Sequence, residues 1–189
     1  MTQETSDESL CRRVAARDEV AFDVLVARYQ GRAYRLAWSL LRDAEDARDV
    51  SQEAFLRLYR TAGAFRGDAR FSTWFYRILV NLSLDHRRRR RWWRQWQTRD
   101  ERGPEDTLIE DQPAPAVDPD DAVGRAETLA RLWAGVDRLS PQQRAVVVLR
   151  VQEELPTSQI AAVLQCSEAT VRVHLHRAVS ALRKTLGRG

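Results

Sequence analysis

A run of arginines followed by tryptophans is the clearest candidate for a binding chemistry in this sequence. Residues 87–96 read RRRRRWWRQW, which we call the Arg-Trp segment. Guanidinium groups neutralise phosphates, and indole rings offer flat faces on which unstacked bases can lie, so the composition suits a nucleic-acid strand. Two other interpretations fit the same residues: a solvated helix end with its tryptophans packed on the fold, and an amphipathic segment on a membrane surface.

The charges of the chain are strongly segregated although their sum is only +4. Residues 87–102 hold eight arginines and two acids, residues 100–121 hold nine acids and a single arginine, and residues 125–189 hold ten cations and five acids. The basic regions indicate a polyanionic partner, either nucleic acid or an anionic membrane surface.

Residues that could hold a metal or catalyse a reaction are not arranged for it. Cys11 and Cys166 are far apart, and His174 and His176 would lie about 200° apart around a helix. The chain has no HExxH motif and no glycine-rich phosphate loop. We therefore expect no enzymatic activity, no metal, no cofactor and no small-molecule substrate.

No apolar run reaches the ~18 residues of a membrane span and residues 1–10 are polar, so a cytoplasmic location is expected.

The elements that would position these residues are helical. Apolar residues recur at three- and four-residue steps, and no sustained alternation of the strand kind occurs. Four of the six prolines lie among the acids of residues 100–121, a composition typical of a flexible linker. The sequence predicts an all-α protein with a helical bundle over residues 1–99, this acidic linker over 100–121, and a second helical domain over 122–189.

Three helices are expected in the first domain, over residues 19–41, from about Asp43 to Gly63, and over about 71–91. The second has an apolar arc and an opposite arc of acids and amides with one exposed leucine. That polar arc suits a basic protein partner, although a solvated face has a similar composition. The third is apolar nearly all round and must be covered on more than one side.

The second domain has clear capping signals. Ser140, Pro141 and Gln143 form a helix start, Thr157 can cap a short helix, and Ser167 can cap the next helix after the turn 165–167. The last helix carries arginine and histidine opposite its apolar stripe. These features predict a helix-turn-helix whose second helix enters a DNA major groove, although an ordinary helical hairpin shows each of them singly.

With both halves taken together, the chain resembles a bacterial extracytoplasmic-function (ECF) sigma factor, an alternative sigma factor of RNA polymerase. The resemblance covers about Phe22 to Lys184. DAEDARDVSQEAFLRLY (43–59) resembles the polymerase-binding helix of the family and FRGDARFSTWFYRILVNLSLDHRRR (65–89) its promoter-melting segment. LSPQQRAVVVLR (139–150) and SQIAAVLQCSEATVRVHLHRAVSALRK (158–184) resemble its promoter-reading domain.

The resemblance implies a role for individual residues. Those matched to core-polymerase binding are Asp49, Gln52, Glu53 and Leu56. In the minus-ten segment Asn81 is matched to the capture of a flipped base, Arg87 and Arg88 to the strand backbone, and the neighbouring positions are Trp74, Tyr76, Arg77 and Asp85. For the minus-thirty-five element the base-facing positions are Arg172, Val173 and His176, and the phosphate-facing ones Arg150 and Arg177. At four positions the residue differs from the one common in the family, and these differences bear on which promoter sequence is recognised more than on the fold: Gln159, Gln165, Ala169 and Val173.

The function implied is that of a sigma factor that binds core RNA polymerase, directs promoter-specific initiation and helps melt the promoter, in a stress or envelope response. The resemblance also implies an anti-sigma partner, often a membrane-linked protein. A free-standing helix-turn-helix regulator would explain the second domain but leaves the acidic arc and the Arg-Trp segment unused. An adaptor that only binds another protein is a further alternative. We also hypothesise that the acidic linker weakens DNA binding by the free protein.

Overall fold

A computed structural model describes residues 5–100 and 122–186, with side chains for residues 5–92 and 130–185. These residues form eight α-helices: α1 (Asp7–Ala15), α2 (Glu19–Leu41), α3 (Ala44–Thr61), α4 (Phe71–Asp100), α5 (Ala122–Asp137), α6 (Pro141–Val151), α7 (Thr157–Leu164) and α8 (Glu168–Leu186). No strand occurs within the described ranges, which confirms the all-α fold class. The predicted acidic linker lies outside the described residues, apart from Asp100 at the end of α4.

The N-terminal bundle is organised around α2, which packs against α1, α3 and α4. Its first turn is capped by Asp18, whose Oδ1 accepts a hydrogen bond from the amide of Ala21 at 3.0 Å. A stripe of side chains at helical spacing is buried along it: Leu25, Tyr29, Ala33, Leu36 and Leu40. The observed bounds equal the predicted ones because a capping acid and an unbroken apolar period are both local signals.

Helix α1 was missed by the sequence analysis. Ser6 caps it, and Asp7 accepts hydrogen bonds from Nη1 of Arg28 and the hydroxyl of Tyr29, both at 2.6 Å. One side of α1 is buried on the bundle, including the thiol of Cys11. Burial raises the pKa of this thiol to about 11, so it is protonated at neutral pH. The Ser-Asp-Glu start followed by three apolar residues at helical spacing is the signal that could have found this helix.

Helix α4 is longer than the predicted 71–91 and continues to Asp100, because neither glycine nor proline interrupts the chain before Gly103. Its apolar surface is covered by α2 and α3 on one side and by α7 of the second domain on another. This is the multiple coverage that its composition requires. Within the described residues, no helix is both long and apolar enough to cross a membrane.

Two of the three helix caps predicted in the C-terminal domain are observed. Ser140 and Gln143 form a reciprocal capping box, with bonds of 3.3 and 3.2 Å between each amide and the other's side chain. Ser167 caps α8 through the amide of Thr170 at 3.1 Å. The prediction for Thr157 was wrong. The N-cap of α7 is Pro156, without a side-chain hydrogen bond, and Thr157 is its first helical residue.

The start of α3 carries a carboxylate that also links this helix to α4. Oδ1 of Asp43 accepts hydrogen bonds from the amides of Asp46 at 3.0 Å and Glu45 at 3.1 Å. Its Oδ2 lies 3.0 Å from Nη1 of Arg90. The Asp46 amide, aided by Arg90, holds the pKa of the Asp43 carboxyl below its ordinary value. The folded chain therefore stabilises the charged form of Asp43 more than the unfolded chain does.

Asp43→Ala is expected to lower the free energy of unfolding by about 1 to 2 kcal/mol at pH 7, because α3 loses its cap. The folded-state pKa lies below the unfolded one, so this stabilisation is complete above about pH 4 and is lost as the pH falls through the folded pKa. Urea denaturation at pH 7 and pH 3 should show the difference from wild type shrinking at low pH. Glu45→Ala, which keeps the cap, is the control. An equal difference at both pH values would contradict this account.

Candidate nucleic-acid interface

The outer face of α8 presents the predicted base-reading residues together. Arg172, Val173, His176 and Arg177 are all exposed, while Val171 and Ala178 are buried behind them. Among the described residues this face has one ion pair, between Arg172 and Glu168 at 3.5 Å, which is exposed and within one helical turn. Such a pair is worth little and leaves the guanidinium available to a partner. The face therefore has the size, charge and exposure to enter a major groove.

The turn between α7 and α8 is held by a residue in the left-handed conformation. Gln165 has φ 53° and its amide bonds back to the carbonyl of Ala161. Glycine adopts this conformation without steric cost, whereas a residue with a Cβ does not. Gln165, one of the departures from the family pattern, thus places a strained residue between the two helices.

Gln165→Gly is expected to raise the free energy of unfolding by about 1 kcal/mol, because it removes this strain while keeping the turn. Thermal unfolding of both proteins measures the gain. Gln142→Gly is the matched control, since the same replacement inside the first turn of α6 should lower stability. A loss of stability in Gln165→Gly would show that the turn does not require the left-handed conformation.

Arg150 has a structural partner in addition to its predicted phosphate role. It is exposed, and its Nη1 donates a hydrogen bond to the carbonyl of Leu155 at 3.0 Å. This bond closes the loop from α6 to α7. The guanidinium has four further N–H donors, so an anion can still be bound.

Helix α4 divides the predicted minus-ten residues between two sides. Arg77, Asn81, Asp85 and Arg88 fall within about 80° of one another around the helix. Asn81 and Arg88 are exposed, and Asp85 pairs with Arg88 at 3.1 Å. We call these four residues the outer face of α4. It offers an amide, a carboxylate and two cations along one line.

The other three minus-ten residues are not on that surface. Trp74 shares the arc but is only 8% exposed, with its ring centroid 5.4 Å from that of Phe65. Tyr76 and Arg87 lie about 140° away around α4. Tyr76 is 2% exposed and its hydroxyl donates to Glu153, while Arg87 donates to the carbonyl of Leu40 at 2.9 Å.

Part of the arginine run in the Arg-Trp segment is engaged in contacts within the fold. Arg90 pairs with Asp43 and Asp46 at the start of α3, and Nε2 of His86 lies 3.0 Å from Asp46. Arg88, Arg89 and Arg91 remain exposed. The side chains of Trp93, Arg94 and Trp96 lie outside the described residues. The arginine run therefore joins α4 to the start of α3 through Arg90 and also presents a cationic surface.

The acidic face of α3, formed by Asp49, Gln52, Glu53 and Leu56, lies opposite the buried stripe of that helix. Asp49 and Gln52 are exposed, and Leu56 is 50% exposed despite its apolar side chain. Neither Asp49 nor Glu53 forms an ion pair with any described residue. An exposed leucine among unpaired acids and an amide is suited to a protein surface with basic and apolar groups.

Two family models match the chain in sequence order. Sigma-70 region 2 matches residues 25–94 and Sigma-70 region 4 matches residues 129–182. The first therefore covers α3 and the outer face of α4, and the second covers α8 as far as Leu182.

Known proteins are similar over nearly the whole chain. The RNA polymerase sigma-H factor of Pseudomonas aeruginosa is 37% identical, covering 98% of this chain and 96% of its own. The ECF RNA polymerase sigma factor SigW of Bacillus subtilis is 32% identical, covering 93% and 94%. Among solved structures, CnrH in complex with the cytosolic domain of CnrY has a TM-score of 0.69 at 25% identity, covering 97% of this chain and 99% of that one.

Proposed function

Because the chain belongs to the ECF sigma factors, a family of polymerase-associated factors that direct promoter-specific transcription, we propose that its three exposed faces divide that task. The acidic face of α3 binds core RNA polymerase, the outer face of α4 binds the minus-ten element, and α8 reads the minus-thirty-five element. The observation that carries this proposal is that an acidic face, which forms no ion pair with the described residues, and two arginine-bearing faces are exposed together on a single fold.

In the minus-ten interaction, Asn81 is proposed to hold a base flipped out of the non-template strand. Flipping has an unstacking cost of a few kcal/mol, which amide hydrogen bonds in a fitted site must offset. Arg77 and Arg88 supply positive charge along the same line for the strand backbone. Trp74, Tyr76 and Arg87 complete the proposed set; the hydroxyl of Tyr76 is bonded to Glu153 of the second domain, and Arg87 is bonded to the carbonyl of Leu40 in the first.

The chain is proposed to act in the cytoplasm as an initiation factor without a reaction of its own, since the polymerase supplies the chemistry. A regulatory anti-sigma protein is a further proposed partner. Support comes from family membership and from the similar structure of CnrH, which was determined with the cytosolic domain of CnrY bound.

Transcription in vitro with core polymerase, with and without this protein, tests the proposed function. We expect initiation at a defined start site only when both are present. Permanganate footprinting should show melted DNA at that site. A free-standing regulator gives the opposite result: it binds duplex DNA alone and starts no transcript when added to core enzyme.

Arg172→Ala is expected to reduce discrimination at one base pair of the minus-thirty-five element by about 1 to 3 kcal/mol, because a bidentate contact to guanine is lost. Competition binding by the holoenzyme to single-base variants of a selected promoter measures this value. Arg183→Ala, which removes an exposed cation near the end of α8, should weaken all sequences alike. If Arg172→Ala also weakened all sequences alike, Arg172 would be a phosphate contact.

A further inference from the structure

A polar cavity of about 330 Å³ lies where the two domains meet. One wall is formed by α2 and the start of α4, and the other by the loop from α6 to α7 with the first turn of α7. Its volume is at the lower end of the range for small-molecule sites, which is about 300 to 1,000 Å³. Nearly all of its lining side chains can form hydrogen bonds, so a ligand that fits the cavity must be polar.

The first-domain wall of the cavity carries three exposed guanidinium groups, those of Arg32, Arg35 and Arg70. Arg32 is engaged within the fold, since its guanidinium lies 5.9 Å from the ring centroid of Tyr29. The side chains of Arg35 and Arg70 form no hydrogen bond or ion pair with any described residue. Guanidinium groups match the geometry of phosphate and can bind it through two parallel hydrogen bonds. Two cations of this wall are therefore available to a phosphate group.

The guanidinium of Arg35 is accommodated by a glycine one turn earlier on α2. A Cβ at Gly31 would lie 3.3 Å from Nη1 of Arg35, which is closer than most side-chain contacts. Glycine is unfavourable inside a helix compared with alanine. The missing side chain at Gly31 lets the guanidinium lie along α2 beside the cavity.

The second-domain wall carries a carboxylate and an amide that have no side-chain partner among the described residues. Glu154 is exposed in the loop after α6, in the left-handed conformation with φ 53°, and Gln159 lies on α7. Gln152 and Glu153, on the same wall, already have hydrogen-bond partners in the first domain. A carboxylate accepts hydrogen bonds from amino groups, and an amide both donates and accepts them. These are the groups with which proteins bind the edge of a base.

The opposite chemistry of the two walls restricts the class of ligand. A ligand that is anionic throughout would be attracted by Arg35 and Arg70 but repelled by Glu154. A nucleotide satisfies both walls, because its phosphates only accept hydrogen bonds whereas its base carries N–H donors. We propose that this cavity binds a free nucleotide, with its phosphates on Arg35 and Arg70 and the edge of its base on Glu154 and Gln159.

This nucleotide site goes beyond the proposed function and uses different residues. Of the residues assigned to polymerase or promoter DNA, Tyr76 alone is among the described residues that line the cavity. The nucleotide is a ligand and undergoes no reaction. Because its two ends bind different domains, an occupied cavity links the domains and stabilises the folded chain by mass action.

Isothermal titration calorimetry of the full chain with GDP, at fixed ionic strength and without magnesium, tests the phosphate contacts. GDP is the probe because guanine presents two neighbouring N–H donors to a carboxylate. Arg35→Gln and Arg70→Gln should each weaken binding about tenfold or more, since each removes a charge-assisted contact. Arg48→Gln is the matched control, because it removes an exposed arginine of α3 outside the cavity and leaves the same net charge. Equal affinities in the three variants, or no binding of GDP by the wild type, would overturn the proposal.

Glu154→Ala distinguishes a nucleotide site from a general anion site. Pyrophosphate should bind this variant more tightly than it binds the wild type, because repulsion is removed. GDP should bind the variant more weakly, because the acceptor for its base is lost. Helical circular dichroism should remain that of the wild type. Tighter binding of both ligands would show that Glu154 acts through its charge alone, and the base contact would be rejected.

The proposed function and the nucleotide site fail separately. GDP binding is measured on the free chain, without polymerase or promoter. If the wild type starts no transcript with core polymerase, the function is wrong and the calorimetric result is unaffected. If the wild type is active with core enzyme but binds no GDP, the function stands and the nucleotide site is rejected.

Discussion

Asp49→Arg is expected to abolish most core-dependent initiation while leaving the fold intact. Asp49 is exposed on the acidic face of α3, so the substitution places a cation where a basic partner surface must approach. Losing one partner of a charge pair that becomes buried in a complex costs about 2 to 5 kcal/mol, and charge reversal adds repulsion. Holoenzyme assembly by gel filtration and abortive initiation together measure the effect.

Two further variants separate a docking face from a general charge effect. Asp23→Arg makes the same change at an exposed position of α2 outside the acidic face and should initiate as the wild type does. Gln52→Ala removes an amide from the acidic face without changing charge and should weaken assembly. Initiation unaffected by both Asp49→Arg and Gln52→Ala would reject this face as the polymerase contact.

Phe75→Ala is expected to lower the free energy of unfolding by about 3 to 5 kcal/mol, because a large side chain is removed from a closed core. Phe75 is fully buried, and its ring centroid lies 5.1 Å from that of Phe55, 5.5 Å from that of Tyr29 and 6.0 Å from that of Phe71. These rings come from α2, α3 and α4. Their packing sets how α4 presents its outer face.

Urea denaturation at pH 7 measures this loss, and Tyr34→Ala is its control because that ring is 37% exposed on α2. The control should change stability by less than about 1 kcal/mol. A loss of similar size in both variants would mean that the aromatic cluster is not the core that positions α4.

Much of the helical framework could be predicted because its signals are local. Ser140 and Ser167 cap the helices that they were predicted to cap, and the acidic face of α3 has the exposure that its periodicity predicted. The end of α4 and the whole of α1 were not predicted. The chain has no stop signal where the sequence predicted the end of α4, and α1 is a short amphipathic helix within a polar, acidic segment.

The sequence by itself determined the fold class, the faces of α3 and α8 and the family, since helix period and side-chain order are written along the chain. Only the tertiary structure decided which of the predicted minus-ten residues face solvent. Arg87 and Tyr76 have their partners in other elements, and Arg144 reaches the carbonyl of Leu40 across 104 residues of sequence. Helical periodicity assigns a residue to a face, but what covers that face depends on contacts between distant segments, and no local pattern records them.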